Sequence, residues 1–309
     1  KEFNKLDKEQ ILIVGGTGFI GYHLAKKLIK EGLTVTSIST KPPKRLRYLS
    51  NVRYIICDIS NKNSLKKKVN KYYKYIVNLG GYVDHSNNKK TLETHYDGCK
   101  NLAEIFKKKP PSSFIQMGSS VEYGNAKSPQ KEDMKCDLSS NKSTYGKAKL
   151  SSSRYLINLY KRDNFPSIIL RLYLSYGPKQ DINRLIPYVI MSCLKNIKFD
   201  CSLGTQVRDF VHVDDVVNAI FKLLKNKKAI GQIYNLGSGK QIKIKEVIEK
   251  IKNISKGGHP RYGKIKLRKD EIKKLYPNIS KIKKVINWKP KILFEKGLKS
   301  TIKSYKNLL

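Results

Sequence analysis

The stretch Ile11–Gly21 places the strongest constraint on how this chain can fold. Four apolar residues in a row, Ile11–Val14, are followed by a run of glycines and then by apolar residues at helical spacing over Ile20–Ile29. The apolar run predicts a strand buried on both faces, and the later spacing predicts a helix that ends at Gly32. A buried strand, a glycine turn and a helix in this order are typical of the start of a dinucleotide-binding unit.

Further strands alternate with helices along the first half of the chain. The same apolar patterns predict four more strands and three more helices: strands at Thr34–Ser39, Arg53–Cys57, Tyr75–Leu79 and Ser113–Met117, and helices at about 63–72, 91–108 and 143–161. Strands that alternate with helices predict an α/β fold, with a Rossmann-type doubly wound parallel sheet.

The end of the second predicted strand indicates which dinucleotide is bound. A carboxylate at this place binds the adenosine ribose of NAD, whereas a basic, hydroxyl-rich loop accommodates the 2′-phosphate of NADP. The chain has no acid here: the loop reads Ser39, Thr40, Lys41, Pro42, Pro43, Lys44, Arg45. We therefore expect NADP(H), with NAD(H) as the alternative.

Hydroxyl-bearing residues and a lysine follow the fifth strand. Ser119 lies at the strand's carboxyl end, where ligands bind in open α/β sheets, and Tyr145 and Lys149 are four apart on the next helix and so share a face. Hydride transfer to a carbonyl requires a proton donor for the oxygen. A tyrosine can serve because a lysine ammonium one turn away stabilises its phenolate.

These motifs together resemble the extended short-chain dehydrogenase/reductases that act on nucleotide sugars. The resemblance rests on Gly15–Gly21, Ser119–Gly124, Tyr145 with Lys149, Arg171, Tyr176–Pro178, Arg208–Asp215 and Asn287–Pro290, so it spans nearly the whole chain. It implies a Rossmann domain over residues 1–173, with 207–225 partly returning to it. It also implies a smaller C-terminal lobe over residues 174–309 that binds the nucleotide sugar.

The resemblance also implies site residues, while the five cysteines and five histidines have no metal-ligand spacing, so we expect no metal. Ser119, Tyr145 and Lys149 would be catalytic, and Ser120, Val121, Arg208 and Arg268 would bind substrate. The cofactor would contact Tyr145 and Lys149 together with Gly15, Gly18, Phe19, Ile20, Gly21, Ser39, Thr40, Lys41, Lys44, Arg45, Asp58, Ile59, Leu79 and Gly80.

Several positions depart from the family pattern and bear on the reaction. Ser120 and Val121 stand where the 4,6-dehydratases carry Asp-Glu, Ser39 where NAD-dependent epimerases carry Asp, and Leu174 and His95 where Asn is usual. The resemblance is greatest to reductases of 4-keto-6-deoxy nucleotide sugars. A nucleotide-sugar 4-epimerase and a non-catalytic NADP(H) sensor are the alternatives, and loops at about 82–90, 174–205 and 257–268 set sugar selectivity.

Composition bears on partners and location. The net charge is +40, but only ten of the 64 basic residues are Arg, and the lysines spread along the chain. We therefore expect a solvated lysine surface and no nucleic-acid partner. No run approaches about 18 apolar residues, so we expect no membrane span, and five scattered cysteines favour a cytoplasmic location. The resemblance implies a homodimer through the helices at about 91–108 and 143–163.

Overall fold

The computed structural model describes residues 8–80 and 86–309. The strands are β1 Gln10–Val14, β2 Thr34–Ser39, β3 Val52–Ile56, β4 Tyr75–Asn78, β5 Ser113–Ser119, β6 Ser167–Leu172, β7 Leu174–Tyr176, β8 Lys198–Asp200, β9 Val207–His212, β10 Ile233–Leu236, β11 Gln241–Lys243 and β12 His259–Arg261. The helices are α1 Phe19–Lys30, α2 Lys62–Lys68, α3 Asn88–Leu92, α4 Gly98–Phe106, α5 Thr144–Asp163, α6 Leu185–Leu194, α7 Val213–Leu224, α8 Ile244–Ser255, α9 Ser280–Ile286 and α10 Phe294–Lys306.

Seven strands form the main sheet, in the order β3-β2-β1-β4-β5-β6-β10. The pairs β1–β2, β2–β3, β1–β4 and β4–β5 are parallel. The chain therefore runs outward from β1 in one direction and then from β4 in the other, which confirms the doubly wound fold. The ends of β1 and β4 lie at the point where the strand order reverses, and dinucleotides bind at that point in such sheets.

The long helix predicted at about 91–108 is divided in the structure. A π-helical turn, Glu93–Asp97, separates α3 from α4. Within this turn the carbonyl oxygen of His95 accepts a hydrogen bond of 2.6 Å from the Ser152 hydroxyl on α5. Apolar spacing alone does not distinguish a π turn from regular helix, so the sequence pattern missed it.

The described chain divides into two compact units. The first comprises the described residues of Lys1–Gly124 together with Lys135–Arg171 and Val217–Tyr234, and the second comprises Asn125–Met134, Leu172–Val216 and Asn235–Leu309.

The second unit holds two small sheets, β11-β9-β7 and β12-β8, and an apolar core beneath helices α6, α8 and α10. Strand β9 at the start of the 207–225 region pairs with β7 and β11, so this strand lies in a small sheet. From Val217 onward the same region belongs to the first unit.

Apolar residues on the two helices through which the resemblance implies a dimer could either form the dimer face or cover the main sheet, and in the structure they cover the sheet. Leu102, Leu156 and Leu159 are buried in the core of the first unit, and Ile105 packs against that core. These four side chains therefore pack inside the first unit. A homodimer through the two helices stays a prediction, and it would have to use other residues of these helices.

Candidate active site

The glycine turn brings the ends of β1 and β4 and the start of α1 into direct contact. Gly15 has a φ of +86°, and a Cβ on it would lie 2.0 Å from the carbonyl oxygen of Gly80. A Cβ on Gly21 would lie 2.3 Å from the carbonyl oxygen of Gly15. Only glycine fits at these two positions, so the backbone itself forms the surface at the N-terminus of α1. No side chain in residues 8–80 or 86–309 caps that terminus at Gly18, so its N–H groups suit a phosphate.

The residues around the end of β2 fit the adenosine end of a dinucleotide. The Ser39 hydroxyl is buried and has no hydrogen-bond partner in the part of the chain that is described. Lys41, Lys44 and Arg45 beyond it are exposed, while Arg47, which the motif analysis did not include, is buried. A buried hydroxyl beside exposed cations suits a ribose with an anionic substituent.

Two further expected cofactor contacts follow β3. The Asp58 carboxylate is exposed and accepts hydrogen bonds from the Ser60 amide and hydroxyl, at 2.9 and 2.7 Å. Ile59 is buried, and Gly98 on α4 approaches it so closely that a Cβ there would lie 2.6 Å from the Ile59 side chain.

Two more expected cofactor contacts, Leu79 and Gly80, follow β4. The Leu79 amide donates a hydrogen bond to the Val14 carbonyl, and Gly80 has a φ of +72°. Gly81 and residues 82–85 of the predicted selectivity loop lie outside the described residues.

Helix α5 presents Tyr145 and Lys149 as the spacing predicts. The Lys149 ammonium lies 5.7 Å from the centre of the Tyr145 ring and donates a hydrogen bond of 2.8 Å to the carbonyl oxygen of Met117 in β5. The Lys149 side chain is buried, with the residue 2 % exposed. The lysine is therefore held between the tyrosine and the strand that ends in Ser119, which is the position that a charge acting on Tyr145 requires.

The start of α5 is fixed by hydrogen bonds to the turn after β5. The Ser143 hydroxyl caps the helix by accepting a bond of 3.0 Å from the Gly146 amide. The Asn141 side chain donates a bond of 2.6 Å to the carbonyl oxygen of Val121. Because Val121 is two residues from Ser119, this bond ties the segment that leads into α5 to the Ser119 turn.

A buried glutamate, Glu122, organises the Ser119 turn. The Ser119 amide donates to its carboxylate at 2.8 Å, and the Val121 amide donates to the Ser119 hydroxyl at 3.3 Å. The Ser153 hydroxyl and the Arg171 guanidinium also donate to Glu122, at 2.6 and 3.2 Å. Glu122 is wholly buried. Its carboxylate is thus fully engaged in holding the turn and is not exposed for acid–base work on a ligand.

Arg171 is buried and nevertheless charged. Burial is the largest single influence and would lower the pKa of its guanidinium, but Glu122, Tyr123 and Cys136 together outweigh it, so the pKa is raised. Arg171 also stacks on the Tyr123 ring at 4.5 Å. The Arg171 guanidinium therefore stays protonated in its buried position beside Glu122.

His95 is a site residue for which sequence reasoning gave no role. Its imidazole is buried and lies against the Tyr145 ring, with centroids 5.1 Å apart at 78°. A Cβ on Gly80 would lie 3.2 Å from two atoms of the same imidazole and 3.7 Å from the Lys149 ammonium. The one signal for His95 in the sequence was that a histidine stands where the family usually carries Asn.

The expected substrate residues fall in two places. Ser120 and Val121 follow Ser119 in a short 3₁₀ turn, where Ser120 is buried. In the second unit, Arg208 donates to the carbonyl oxygens of Val207 and Ile272 at 2.9 and 2.8 Å.

Arg208 also forms a 2.7 Å ion pair with Glu271, and burial lowers the pKa of its guanidinium. Arg268 is exposed, and its carbonyl accepts a bond from the Glu271 amide, so Glu271 links the two arginines.

No cluster of three metal-ligating side chains occurs among residues 8–80 and 86–309, and no helix described there is long and apolar enough to cross a bilayer.

The sheet order, the glycine turn and the Tyr–Lys pair beside Ser119 define an NAD(P)-dependent enzyme of the extended short-chain dehydrogenase/reductase type. Residues 11–237 match the model of the NAD dependent epimerase/dehydratase family, and the chain belongs to that family.

Three relatives illustrate its range. The CDP-abequose synthase of Salmonella muenchen is 28 % identical over 315 residues, covering 95 % of this chain and 97 % of the relative. The Thermotoga maritima UDP-glucose 4-epimerase structure with UDP-glucose has a TM-score of 0.90 and 25 % identity, covering 97 % of this chain and 99 % of its own. The Bacillus cereus UDP-glucuronic acid 4-epimerase structure with UDP-glucuronic acid and NAD has a TM-score of 0.87 and 26 % identity. The match covers 97 % of this chain and 100 % of the epimerase chain.

Proposed function

We propose that this protein is an NADPH-dependent reductase of the C4 keto group of a nucleotide-linked 4-keto-6-deoxyhexose. The observation that carries the proposal is the end of β2. It offers a buried Ser39 hydroxyl and the exposed cations Lys41, Lys44 and Arg45, with no carboxylate from Ser39 to Arg45. This composition suits the 2′-phosphate of NADPH, the cofactor form expected of an enzyme that consumes hydride in each turnover.

The residues after Ser119 argue against a dehydratase. Elimination of water needs a general acid and a general base, and Ser120 and Val121 can supply neither. Glu122 is the nearest carboxylate in the sequence, but Ser119, Ser153 and Arg171 already engage it. Reduction or epimerisation needs only a single proton-transfer group at the oxygen, which Tyr145 provides.

In this reaction the bound cofactor supplies the hydride that reaches the carbonyl carbon. Tyr145 donates its hydroxyl proton to the carbonyl oxygen. Ser119 holds the same oxygen: its hydroxyl oxygen already accepts from the Val121 amide, so its hydrogen is left to donate. Lys149 uses one of its three N–H donors on Met117, and the other two can serve the phenolate and the nicotinamide ribose.

Arg208 and Arg268 are proposed to hold the substrate diphosphate, and Ser120 and Val121 to contact the sugar. Guanidinium groups suit a diphosphate because they donate in parallel pairs. The CDP-abequose synthase similarity supports a deoxysugar substrate. The ion pair of Arg208 with Glu271 must loosen when a diphosphate binds, since both anions seek the same donors.

A 4-epimerase is the second candidate, and the similarity to two 4-epimerase structures favours it. Such an enzyme oxidises and re-reduces one carbon and so retains its cofactor as NAD. The cation-rich loop after Ser39 supports the reductase instead.

The deciding experiment mixes the enzyme with NADPH and a 4-keto-6-deoxy nucleotide sugar and follows the absorbance of the reduced nicotinamide. We expect stoichiometric oxidation, and the Tyr145→Phe variant should bind NADPH but react roughly 10²–10⁴-fold more slowly. If no such sugar is reduced, while a 4-hydroxy nucleotide sugar is epimerised without net cofactor change, the reductase proposal is wrong.

A further inference from the structure

A cavity of about 380 Å³ lies between the second half of α5, β6 and the start of β10 in the first unit. We name it the α5 cavity. Its volume lies in the range of pockets that hold small organic ligands. Ile157 and Ile233 supply apolar surface, and Ser153 and Asn158 supply polar groups. The cavity begins two turns of α5 beyond Tyr145.

Among the described residues, three cations and no carboxylate line the α5 cavity. They are Arg154, Lys161 and Arg171. Arg154 and Lys161 lie on the exposed face of α5, where Arg154 also donates a hydrogen bond of 2.5 Å to the carbonyl oxygen of Cys136.

Arg171 distinguishes this cavity from an ordinary lysine-rich surface. Its side chain is only 4 % exposed, and its Nη1 atom has no hydrogen-bond partner in the described chain. The nearby Glu122 carboxylate receives the Nε hydrogen instead. A buried guanidinium nitrogen without an acceptor is costly, because its hydrogen bonds to water have been lost. An anion in the α5 cavity would supply the acceptor.

We propose that the α5 cavity is a second anion-binding site, which takes the phosphate group of a small phosphorylated ligand. A phosphate presents several acceptor oxygens, one of which can accept from Nη1 of Arg171, while Arg154 and Lys161 neutralise its charge. The isoleucines and the spare volume favour a ligand with a carbon skeleton attached to the phosphate. The proposal rests on the residues that line this cavity and not on the reaction proposed for Tyr145.

The test titrates glucose 1-phosphate, and separately inorganic phosphate, into NADPH-saturated protein by isothermal calorimetry. NADPH occupies the phosphate sites of the cofactor, and both titrations are repeated with Arg268→Ala, an exposed residue, so that binding at the proposed diphosphate site is recognised. Arg171 is not exchanged, because loss of its buried ion pair could unfold the protein. The variant Arg154→Ala/Lys161→Ala changes only exposed cations. Lys147→Ala is the matched control, since Lys147 lies on the same face of α5 but outside the cavity.

We expect glucose 1-phosphate to bind the double variant at least tenfold more weakly than the wild type, and Lys147→Ala to change the affinity less than twofold. Tighter binding of glucose 1-phosphate than of inorganic phosphate supports an organic phosphate as the ligand. Equal binding of the two supports phosphate itself. Equal affinities for wild type and double variant, or no binding of either probe to the wild type at millimolar concentration, would overturn the proposal.

Discussion

The imidazole of His95 packs edge-on against the phenol ring of Tyr145, with centroids 5.1 Å apart. The π-helical turn holds His95 in place from behind, through the bond from the Ser152 hydroxyl to the His95 carbonyl. Ser152 and Tyr145 both belong to α5, so one helix fixes the tyrosine and also anchors the residue that packs against it. This arrangement restricts the position of the Tyr145 ring, the proposed proton donor, before any ligand binds.

His95→Ala should slow turnover without weakening cofactor binding. An aromatic pair is worth about 0.5–1.5 kcal/mol beyond its area burial, which corresponds to roughly a 2- to 12-fold change in kcat if it is lost in the transition state. Steady-state kinetics and fluorescence titration of NADPH measure the two effects separately. His95→Phe keeps the ring contact and should retain most of the activity. Equal loss in both variants would show that the packing of the ring is not what matters.

Lys44→Ala/Arg45→Ala should narrow the preference for NADPH over NADH. Each lost charge-assisted hydrogen bond to a phosphate is worth about 1.5–3 kcal/mol. The affinity for NADPH should therefore fall by an order of magnitude or more, while that for NADH should change little. Binding titrations with both cofactors measure this. The control is Lys66→Ala/Lys67→Ala on the exposed face of α2, and wild-type protein that binds both cofactors equally would contradict the assignment.

Glu122→Gln should destabilise the protein strongly. It removes one partner of the buried pair with Arg171 and leaves an uncompensated charge, which typically costs about 3–5 kcal/mol of the free energy of unfolding. Urea unfolding monitored by circular dichroism measures the loss. Glu31→Gln breaks the Lys27–Glu31 pair on the surface of α1 and should change stability little. If Glu122→Gln lowers the free energy of unfolding only slightly, the Arg171 charge has found another partner in the variant.

His212 should make the protein less stable as pH falls below neutrality. Burial lowers the pKa of its imidazole, whose Nδ1 accepts a hydrogen bond of 3.1 Å from the Asp214 amide. The unfolded chain takes up a proton below about pH 6.5, where the folded chain resists it, so stability rises with pH in that window. His212→Asn keeps an acceptor oxygen and does not titrate. The unfolding free energy of this variant should vary less between pH 7 and 5 than that of the wild type. If it varies with pH as much as in the wild type, His212 is not the cause of the pH dependence.

The first half of the fold could be predicted because its elements are local and apolar. Strand β2 was predicted to the residue, and the Tyr145–Lys149 pair follows from helix geometry alone. The role of Glu122 could not be predicted, because it depends on a partner in β6, 49 residues away along the chain. His95 was missed for a related reason: its orientation depends on a π turn, and apolar spacing does not report such turns.

The order in which the main sheet is built along the chain has a consequence for protein synthesis. Strand β6 is complete at Leu172, but its neighbour β10 does not begin until Ile233. At translation rates of about 5–20 residues per second, the intervening segment of about 60 residues takes roughly 3–12 s to emerge. Throughout that interval the nascent chain carries an apolar parallel strand with one unpaired edge, which is the kind of surface that chaperones recognise and that other nascent chains can join.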